Sequence, residues 1–466
     1  MLDATGLRED ANLLQSTLEA LHPGLYRYNT PAQIRASFDW LRREFAHNRT
    51  LPQAFLAISA VTASVQCGHT FPNPTNQSGD VQSRLFRRGT LPFTFRWIGA
   101  DMVVARSAGG QPRLAPGTII QSINGVPSRT ILRKLLPYAR ADGANNQKRW
   151  NLLEVRGTEK FETFDIYYPL VFPPRAGGFV LKVCAPGDEK PRDVVLPPEP
   201  RVPPEATGTQ DGPLWTIHMV RSDVAKLTMP TWVAYNTPWD WKGDLQRTFE
   251  RLSAERIPNL IIDIRGNEGG SSVGDVILSY LVDRETPLPM YERFTTYRKV
   301  PAALNAYLDT WDNSFRDWGE EAQPASGRFF RMTKYDDAGG NHILPAAPRY
   351  LGRVYVLVDA ANSSATFEFA SAVKTLHVGT LVGQDTGGNQ RGINGGAFFF
   401  LRLPHSGIEV DVPLIAQFPA GGVEAMPDAG LEPDVAVIPS TADMAEGVDT
   451  EVRAVFGLID ARPMDR

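Results

Sequence analysis

Two adjacent serines, Ser363 and Ser364, stand where a continuous apolar run, RVYVLV, gives way to a segment with helical periodicity, ATFEFASAVKTL. This pattern predicts a buried strand followed by a helix, with both serines at the helix N-terminus. The free N–H groups and partial positive charge at that end favour a serine nucleophile, and the N–H of Ala365 could donate to a developing oxyanion. The alternative is that Asn362, Ser363 or Ser364 only caps the helix.

A second candidate element, RGNEGGSS, follows the apolar run LIIDI. The N–H groups of Gly269 and Gly270 could complete an oxyanion hole, because glycine lets the backbone approach a substrate closely. The alternative is an ordinary loop between a strand and a helix. The same stretch contains a Gly-x-Ser-x-Gly match centred on Ser272, the nucleophile elbow of esterases. That elbow requires a sharp turn directly after the strand, whereas this strand is predicted to end near Ile264.

The elements that must position these residues fall into three regions. Residues 5–66 show helical periodicity, with Thr30 before Pro31 as a predicted N-cap. Residues 85–200 contain short β-like runs and an Asn-Gly turn in PGTIIQSINGVPSRTILRKLL, and the Pro-rich segment VVLPPEPRVPPEATGTQDGP reads as a linker. From about 213 to 440, apolar strands alternate with helices, which predicts the α/β class with chemistry at the carboxyl ends of strands.

The composition of the chain limits the classes of binding partner that we expect. The chain has 466 residues, is 42% hydrophobic and 21% charged, and carries a formal net charge of -4, so neither nucleic acid nor an anionic membrane surface is an expected partner. No apolar run approaches the ~20 residues that span a bilayer. The N-terminus lacks a secretory pattern, which fits either a cytoplasmic protein or one whose signal has been removed.

The sequence predicts neither a metal nor a cofactor. Two cysteines, Cys67 and Cys184, are too few for a disulfide framework, although a single bridge between them stays open. No HExxH helix or CxxC pair supplies clustered metal ligands.

Taken together and in this order, LIIDIRGNEGG and VYVLVDAANSSATFEFASAVKTLHVGTLVGQDTGG resemble the carboxyl-terminal-processing and tricorn-core group of serine peptidases, the tail-specific protease relatives. PGTIIQSINGVP resembles the PDZ-like insert of that group. The resemblance implies a ClpP/crotonase-like ββα superhelical core at 213–440, a helical segment at 1–75, a PDZ-like β-rich domain at 85–200 and a C-terminal helix or tail at 441–466. It also implies an exported peptidase, periplasmic or extracellular, that acts on peptides or proteins through Ser364.

One position departs from the family pattern. Processing peptidases of this group place a catalytic lysine after the Thr-x-Gly turn, but counting 25 positions from Ser364 reaches Asn389. Asparagine cannot act as a general base. Lys374 lies on the same predicted helix as the serine, ten positions along, too far to accept its proton. A serine-lysine dyad is therefore not expected.

Another branch of the group, with tricorn-like and chlamydial-protease-like members, uses a histidine from the N-terminal segment and a late glutamate. His69 in CGHTFPNP resembles the Gly-His-Thr element of that branch, and Glu424 fits its acid better than Asp428 or Glu432. An acid there would fix the tautomer of the histidine and stabilise its cation. The alternatives are that His69 caps the preceding helix and that Glu424 is a solvated loop residue. The remaining histidines are expected in surface helices, a strand, loops or a helix end: His22, His47, His218, His342, His377 and His405.

The resemblance implies a serine endopeptidase in which Ser364 attacks a peptide carbonyl while His69 accepts its proton, through an acyl-enzyme. The oxyanion would rest on the N–H of Ala365 and of Gly269 or Gly270. Residues expected to shape the wall of the site are Thr386, Gly387, Gly388 and Arg391. A non-catalytic alternative keeps the same fold but makes the chain a peptide-binding module that acts by β-augmentation.

Overall fold

A computed structural model describes residues 1–86, 89–107, 114–174, 177–199, 212–235, 237–288, 291–333 and 342–461. Helices and strands are numbered here along the whole chain. The chain divides into two compact units, each assembled from three segments. Unit 1 comprises Met1–Pro203, Tyr291–Tyr335 and Arg391–Met426, and unit 2 comprises Pro204–Met290, Asp336–Gln390 and Pro427–Arg466.

The first part of unit 1 is helical, as its periodicity predicts. The N-cap at Thr30 is confirmed: its hydroxyl accepts from the N–H of Gln33, whose side chain accepts from the N–H of Thr30 in return. Thr50 and Gln53 form the same capping box at the next helix. The helices of unit 1 are α1 (Ala4–Leu21), α2 (Pro31–Glu44), α3 (Leu51–Ser64), α4 (Gly79–Leu85), α5 (Ser128–Leu135), α6 (Asn146–Leu152) and α7 (Thr163–Val171).

Unit 1 contains two sheets. The Asn-Gly turn of the first is confirmed, because Asn124 and Gly125 both have positive φ (51° and 80°) and join β3 to β4, directly before α5. This antiparallel sheet has the order β1–β2–β3–β5–β6, with β4 paired to β3. Its strands are β1 (Phe93–Ile98), β2 (Asp101–Ser107), β3 (Ile119–Ile123), β4 (Val126–Pro127), β5 (Phe179–Cys184) and β6 (Arg192–Leu196).

The second sheet of unit 1 is antiparallel, and α1 packs against its strand β19. Its order is β12–β18–β19–β11–β14–β13, and the pairing of β18 with β19 shifts register between Gly395 and Phe398. Its strands are β11 (Tyr291–Thr295), β12 (Leu308–Asp309), β13 (Ala322–Pro324), β14 (Phe330–Met332), β18 (Ile393–Arg402) and β19 (Glu409–Pro419).

Unit 2 is a six-stranded sheet with helices on both faces, which confirms the α/β class. The order β20–β17–β16–β9–β8–β7 is parallel except for the antiparallel pair β7 and β8. A two-stranded pair, β10 with β15, accompanies it. The strands are β7 (Thr216–Arg221), β8 (Val224–Thr228), β9 (Asn259–Asp263), β10 (Thr286–Pro287), β15 (His342–Ile343), β16 (Arg353–Val358), β17 (Thr380–Gly383) and β20 (Val435–Ala436).

The apolar runs of the central strands are continuous because both of their faces are buried. Along β9, Leu260 and Ile262 pack toward the helices α8, α9 and α10, whereas Ile261 packs toward α12. The helices of unit 2 are α8 (Trp241–Ala254), α9 (Val273–Ser279), α10 (Ala365–Leu376), α11 (Thr441–Glu446) and α12 (Thr450–Ala461).

The expected domain boundaries stay predictions. Residues of the segment 213–440, expected to form one core, are found in both units. Most of the expected linker falls on 200–211, outside the described residues. Cys67 and Cys184 are both free thiols, so no disulfide joins them. No helix of the described residues is long and apolar enough to span a membrane.

Candidate active site

Ser364 has a backbone conformation that L-residues rarely adopt. It lies directly before α10, with φ 54° and ψ −132°. Its side chain makes no capping hydrogen bond, so the helix-cap interpretation lacks the contact on which it depends. A strained, partly exposed serine at a helix N-terminus is what a nucleophile needs, because the turn presents the hydroxyl to solvent.

The buried side chain of Asn362 holds the strained turn in place. Its Nδ2 donates to the carbonyls of Ile264 (2.6 Å) and Asn267 (3.1 Å), and its Oδ1 accepts from the N–H of Asp359 (2.8 Å). Because its partners come from the ends of both β9 and β16, Asn362 ties the two neighbouring loops together. This network supplies the constraint that keeps Ser364 at positive φ.

The Thr-x-Gly turn lies against the same loop. The N–H groups of Gly387 and Gly388 both donate to the carbonyl of Asn362, at 2.7 and 3.0 Å. Thr386 is fully buried beside them. The structure therefore brings three of the expected wall residues next to the turn that carries Ser364.

Gly269 packs directly against the start of α10. A Cβ at this position would lie 2.9 Å from the Cβ of Ser364 and 3.0 Å from the nitrogen of Ala365, and the φ of Gly269 is +104°. Only glycine fits both the space and the backbone conformation. Its N–H, however, donates to Oδ1 of Asn267 (2.9 Å) and is thereby engaged.

Of the two glycines, Gly270 is the one whose N–H is not engaged by Asn267. It pairs in parallel with Trp232, and a Cβ on it would lie 2.3 Å from the carbonyl oxygen of Trp232. In the described part of the chain, no acceptor binds the N–H of Gly270 or of Ala365. An N–H group without an acceptor is able to stabilise an oxyanion.

The two residues considered in place of the catalytic lysine are both engaged elsewhere. Asn389 is buried, and its Nδ2 donates to Oδ1 of Asp428 (2.7 Å). Lys374 lies near the C-terminal end of α10, where its Nζ donates to the carbonyl of Glu432 (2.7 Å) and pairs with Asp434 (3.0 Å).

His69 lies in unit 1, in the tight turn that follows α3. The N–H of the preceding Gly68 donates to Oδ1 of Asp142 (3.0 Å). The imidazole ring packs against Phe398 with 5.8 Å between ring centroids, and a Cβ on Gly395 would lie 4.0 Å from its Cε1. A small residue on β18 thus leaves room for the ring.

Glu424 and Arg391 also belong to unit 1. Glu424 lies exposed in the 3-10 turn Val423–Ala425, and among the described residues no hydrogen bond or ion pair joins it to His69. The Nε of Arg391 donates to the carbonyl of Met426 (3.0 Å). The catalytic roles of His69 and Glu424 stay predictions.

Ser272 lacks the geometry of a nucleophile elbow. It is exposed directly before α9, at φ −72°, an ordinary value for any residue. The strained backbone expected of that motif is found at Ser364 instead.

Sequence reasoning missed two residues that build the site or its surroundings. Asn267, inside the RGNEGG segment, accepts from Gly269 and donates its Nδ2 to the carbonyl of Met229 (2.8 Å), but the motif alone does not say which of its side chains face inward. His22 was expected beside a surface helix; this was wrong, because it is fully buried at the end of α1. Its neighbours Pro23 and Gly24 signal a helix end, but nothing local signals burial.

The structure shows no metal cluster in the part of the chain that it describes, counting groups of three or more His, Cys, Asp or Glu side chains. Burial, and then the charge of Glu432, raise the pKa of the Asp385 carboxyl next to Thr386. Asp385 is the one acid among the residues 384–390 that follow β17.

Comparisons with known proteins bear on the family and on the fold. Residues 223–437 match the model of peptidase family S41. The fold is similar to that of mature CPAF complexed with lactacystin, with a TM-score of 0.67 and 15% identity over 98% of this chain and 99% of that one. A second structure of mature CPAF gives a TM-score of 0.64 and 14% identity, over 99% of both chains. No curated protein sequence matched the chain.

Proposed function

We propose that the chain is a serine peptidase of family S41, whose model matches its residues 223–437, and that Ser364 is its nucleophile. The single observation that carries this proposal is the strained φ of 54° at Ser364, in a serine that precedes a helix and makes no capping bond. A protein keeps such strain where function requires it.

The oxyanion formed on attack would be stabilised by the N–H groups of Ala365 and Gly270. Gly269 contributes in another way, since its missing side chain leaves room for the start of α10. Removal of one oxyanion donor typically slows catalysis by ~10²–10³. The acyl-enzyme on Ser364 would then be hydrolysed by water.

We assign the general base to His69 and its orienting acid to Glu424. The assignment is supported by the Gly-His-Thr sequence and by the engagement of Asn389 and Lys374 with other groups. Glu424 is exposed, in the 3-10 turn Val423–Ala425. The substrates proposed are peptides or unfolded protein segments.

Labelling with a fluorophosphonate probe, mapped by mass spectrometry, tests the nucleophile. We expect one adduct, on Ser364, and none on the folded Ser364→Ala variant. An adduct on Ser272 would favour the esterase alternative, and no adduct on folded protein would favour the peptide-binding alternative.

Two further variants test the base. His69→Ala should lower the labelling rate of Ser364 by about 100-fold or more, since the hydroxyl loses its proton acceptor. In Lys374→Met, Ser364 should be labelled at the rate of the parent protein, because the Lys374 amine of the parent is bound to Asp434. The reverse pattern would contradict the assignment of His69.

A further inference from the structure

The histidine buried at the end of α1 contacts the turn that carries His69. His22 is fully buried, and its Nε2 lies 2.8 Å from Oγ1 of Thr70, the residue directly after His69. Its Nδ1 accepts a hydrogen bond from the N–H of Gly24 (3.1 Å). Both ring nitrogens of His22 are therefore bonded within unit 1.

These two bonds determine the tautomer of His22. A backbone N–H can only donate, so Nδ1 must be the unprotonated acceptor and Nε2 must carry the ring proton. Nε2–H consequently donates to Thr70 Oγ1. The hydroxyl of Thr70 keeps its own proton free to donate onward.

His22 is held neutral by its surroundings. Burial lowers its pKa to about 3, and the positive charges of Arg27 and Arg328 and the nearby His69 act in the same direction. The Arg328 guanidinium reaches the carbonyl oxygen of His22 at 3.5 Å. The imidazole of His22 therefore adds no positive charge near a base that must become a cation during catalysis.

Several further contacts of the turn involve the sulfur of Cys67. Asn394 on β18 donates its Nδ2 to Cys67 Sγ (3.2 Å), and Arg27 donates to the Oδ1 of Asn394 (2.9 Å). Burial raises the pKa of the Cys67 thiol to about 11, opposed by hydrogen bonds from the side chain of Thr70 and the N–H of His69. Thr70 thus links His22 on one side to Cys67 on the other.

We propose that His22 is a positioning residue: its neutral imidazole, as the Nε2–H tautomer, fixes Thr70 and so holds the backbone of the Gly68–His69–Thr70 turn in the conformation from which His69 acts as base. This inference rests on the proposed role of His69. It goes beyond that role by assigning a function to a histidine that never touches the substrate.

The test uses matched variants of Thr70 in the full chain. Thr70→Val has nearly the same shape but cannot accept the Nε2–H, whereas Thr70→Ser keeps the hydroxyl. We expect Thr70→Val to lower the maximum rate of Ser364 labelling by fluorophosphonate about 10- to 100-fold, because small misplacements of a catalytic group are costly. The half-saturating probe concentration should change less than about twofold, since the probe does not contact Thr70. Thr70→Ser should restore most of the rate.

If Thr70→Val does not fold, a matched pair of His22 variants tests the positioning role instead. Gln and Met have similar volumes, but only Gln offers an N–H near the position of the histidine Nε2. His22→Gln should therefore label faster than His22→Met at temperatures where both are folded. Equal rates for the two variants, or an unchanged maximum rate for folded Thr70→Val, would overturn the inference.

The failure of this inference can be told apart from failure of the proposed function. If His69→Ala labels slowly while the Thr70 and His22 variants label at the parent rate, His69 is the base and His22 has no positioning role. If His69→Ala itself labels at the parent rate, the proposed base is wrong, and the positioning role falls with it.

Discussion

The strained backbone of Ser364 distinguishes this nucleophile candidate from the other described serines. Ser364 is the only serine among the described residues with positive φ. An alanine at the same φ and ψ would be strained as well, because the clash involves Cβ, which glycine alone lacks. The strain at Ser364 should thus be measurable in the absence of any substrate.

Replacing Ser364 by Gly should stabilise unit 2 relative to Ser364→Ala, by about 1 kcal/mol. Both variants lose the hydroxyl, so the difference reports the relief of backbone strain minus the greater conformational entropy that glycine loses on folding. Urea denaturation of the two variants, followed by circular dichroism, measures it. A glycine variant no more stable than the alanine variant would mean that the turn is not strained.

Gly269→Ala should abolish fluorophosphonate labelling of Ser364 and lower stability. Its Cβ would lie 2.9 Å from the carbonyl oxygen of Ser363 and from the Cβ of Ser364, so the start of α10 must shift. The matched control is Gly457→Ala on α12, where nothing lies within 4 Å of the added methyl. That variant should label normally and gain roughly 0.5–1 kcal/mol of stability from helix propensity. Normal labelling of Gly269→Ala would argue against the close packing described here.

At the scale of elements, the loop after β9 is anchored by a cluster of ion pairs. Arg265 binds Asp263 (2.7 Å), Asp449 (2.9 Å) and Glu451 (3.1 Å), which join the end of β9 to the start of α12. Asp263 also receives Lys226 at 3.4 Å. Arg265 of the RGNEGG segment therefore fixes the loop after β9 to the start of α12.

Arg265→Met should destabilise unit 2 by about 3 kcal/mol, because it removes the guanidinium that binds the largely buried carboxylates of Asp263 and Glu451. An exposed counterpart is Arg247→Met on α8, whose ion pair with Asp244 should contribute less than about 1 kcal/mol. Chemical denaturation compares the two. Equal effects would mean that the Arg265 cluster is as weak as a surface pair.

The sequence predicts local features well because each depends on a few neighbouring residues. The capping box at Thr30 and the turn at Asn124 are local, and both are confirmed. The discontinuous units and the burial of His22 depend on which distant segments pack together, and no short pattern encodes that. For the same reason, the sequence identified Gly269 beside the site but not the engagement of its N–H by Asn267.

At the scale of the whole molecule, two buried groups of unit 1 respond to acid in opposite directions. Asp411 on β19 accepts hydrogen bonds from Asn73 and Asn76, and burial raises its pKa to about 6. Between pH 3.8 and about 6 the folded state binds a proton on Asp411 and the unfolded state does not. Asp411 therefore adds stability as the pH falls from about 6 toward 3.8. Burial lowers the pKa of His22 to about 3. The folded state therefore loses stability as the pH falls below 6.5, because only the unfolded state then binds a proton on this imidazole.

Between pH 6 and 4 these two contributions to the stability of unit 1 should nearly cancel. The carboxyl of Asp411 also faces Glu409 and Arg140, but neither changes the sign of its shift. Asp411→Asn removes one side of the balance, so this variant should lose stability on acidification with an additional slope of up to about 1.4 kcal/mol per pH unit.

Hydrogen exchange of the α1 and β19 amides at pH 6, 5 and 4, corrected for intrinsic exchange rates, measures this slope. Asp39→Asn on the exposed face of α2 is the control and should follow the parent protein. Adding His22→Gln to Asp411→Asn should remove this additional slope, because the opposing group is then absent; Asp10 and Glu409, whose pKa values burial also raises, are present in every variant and in the parent. If the double variant keeps the pH profile of Asp411→Asn, the buried histidine is not the opposing group.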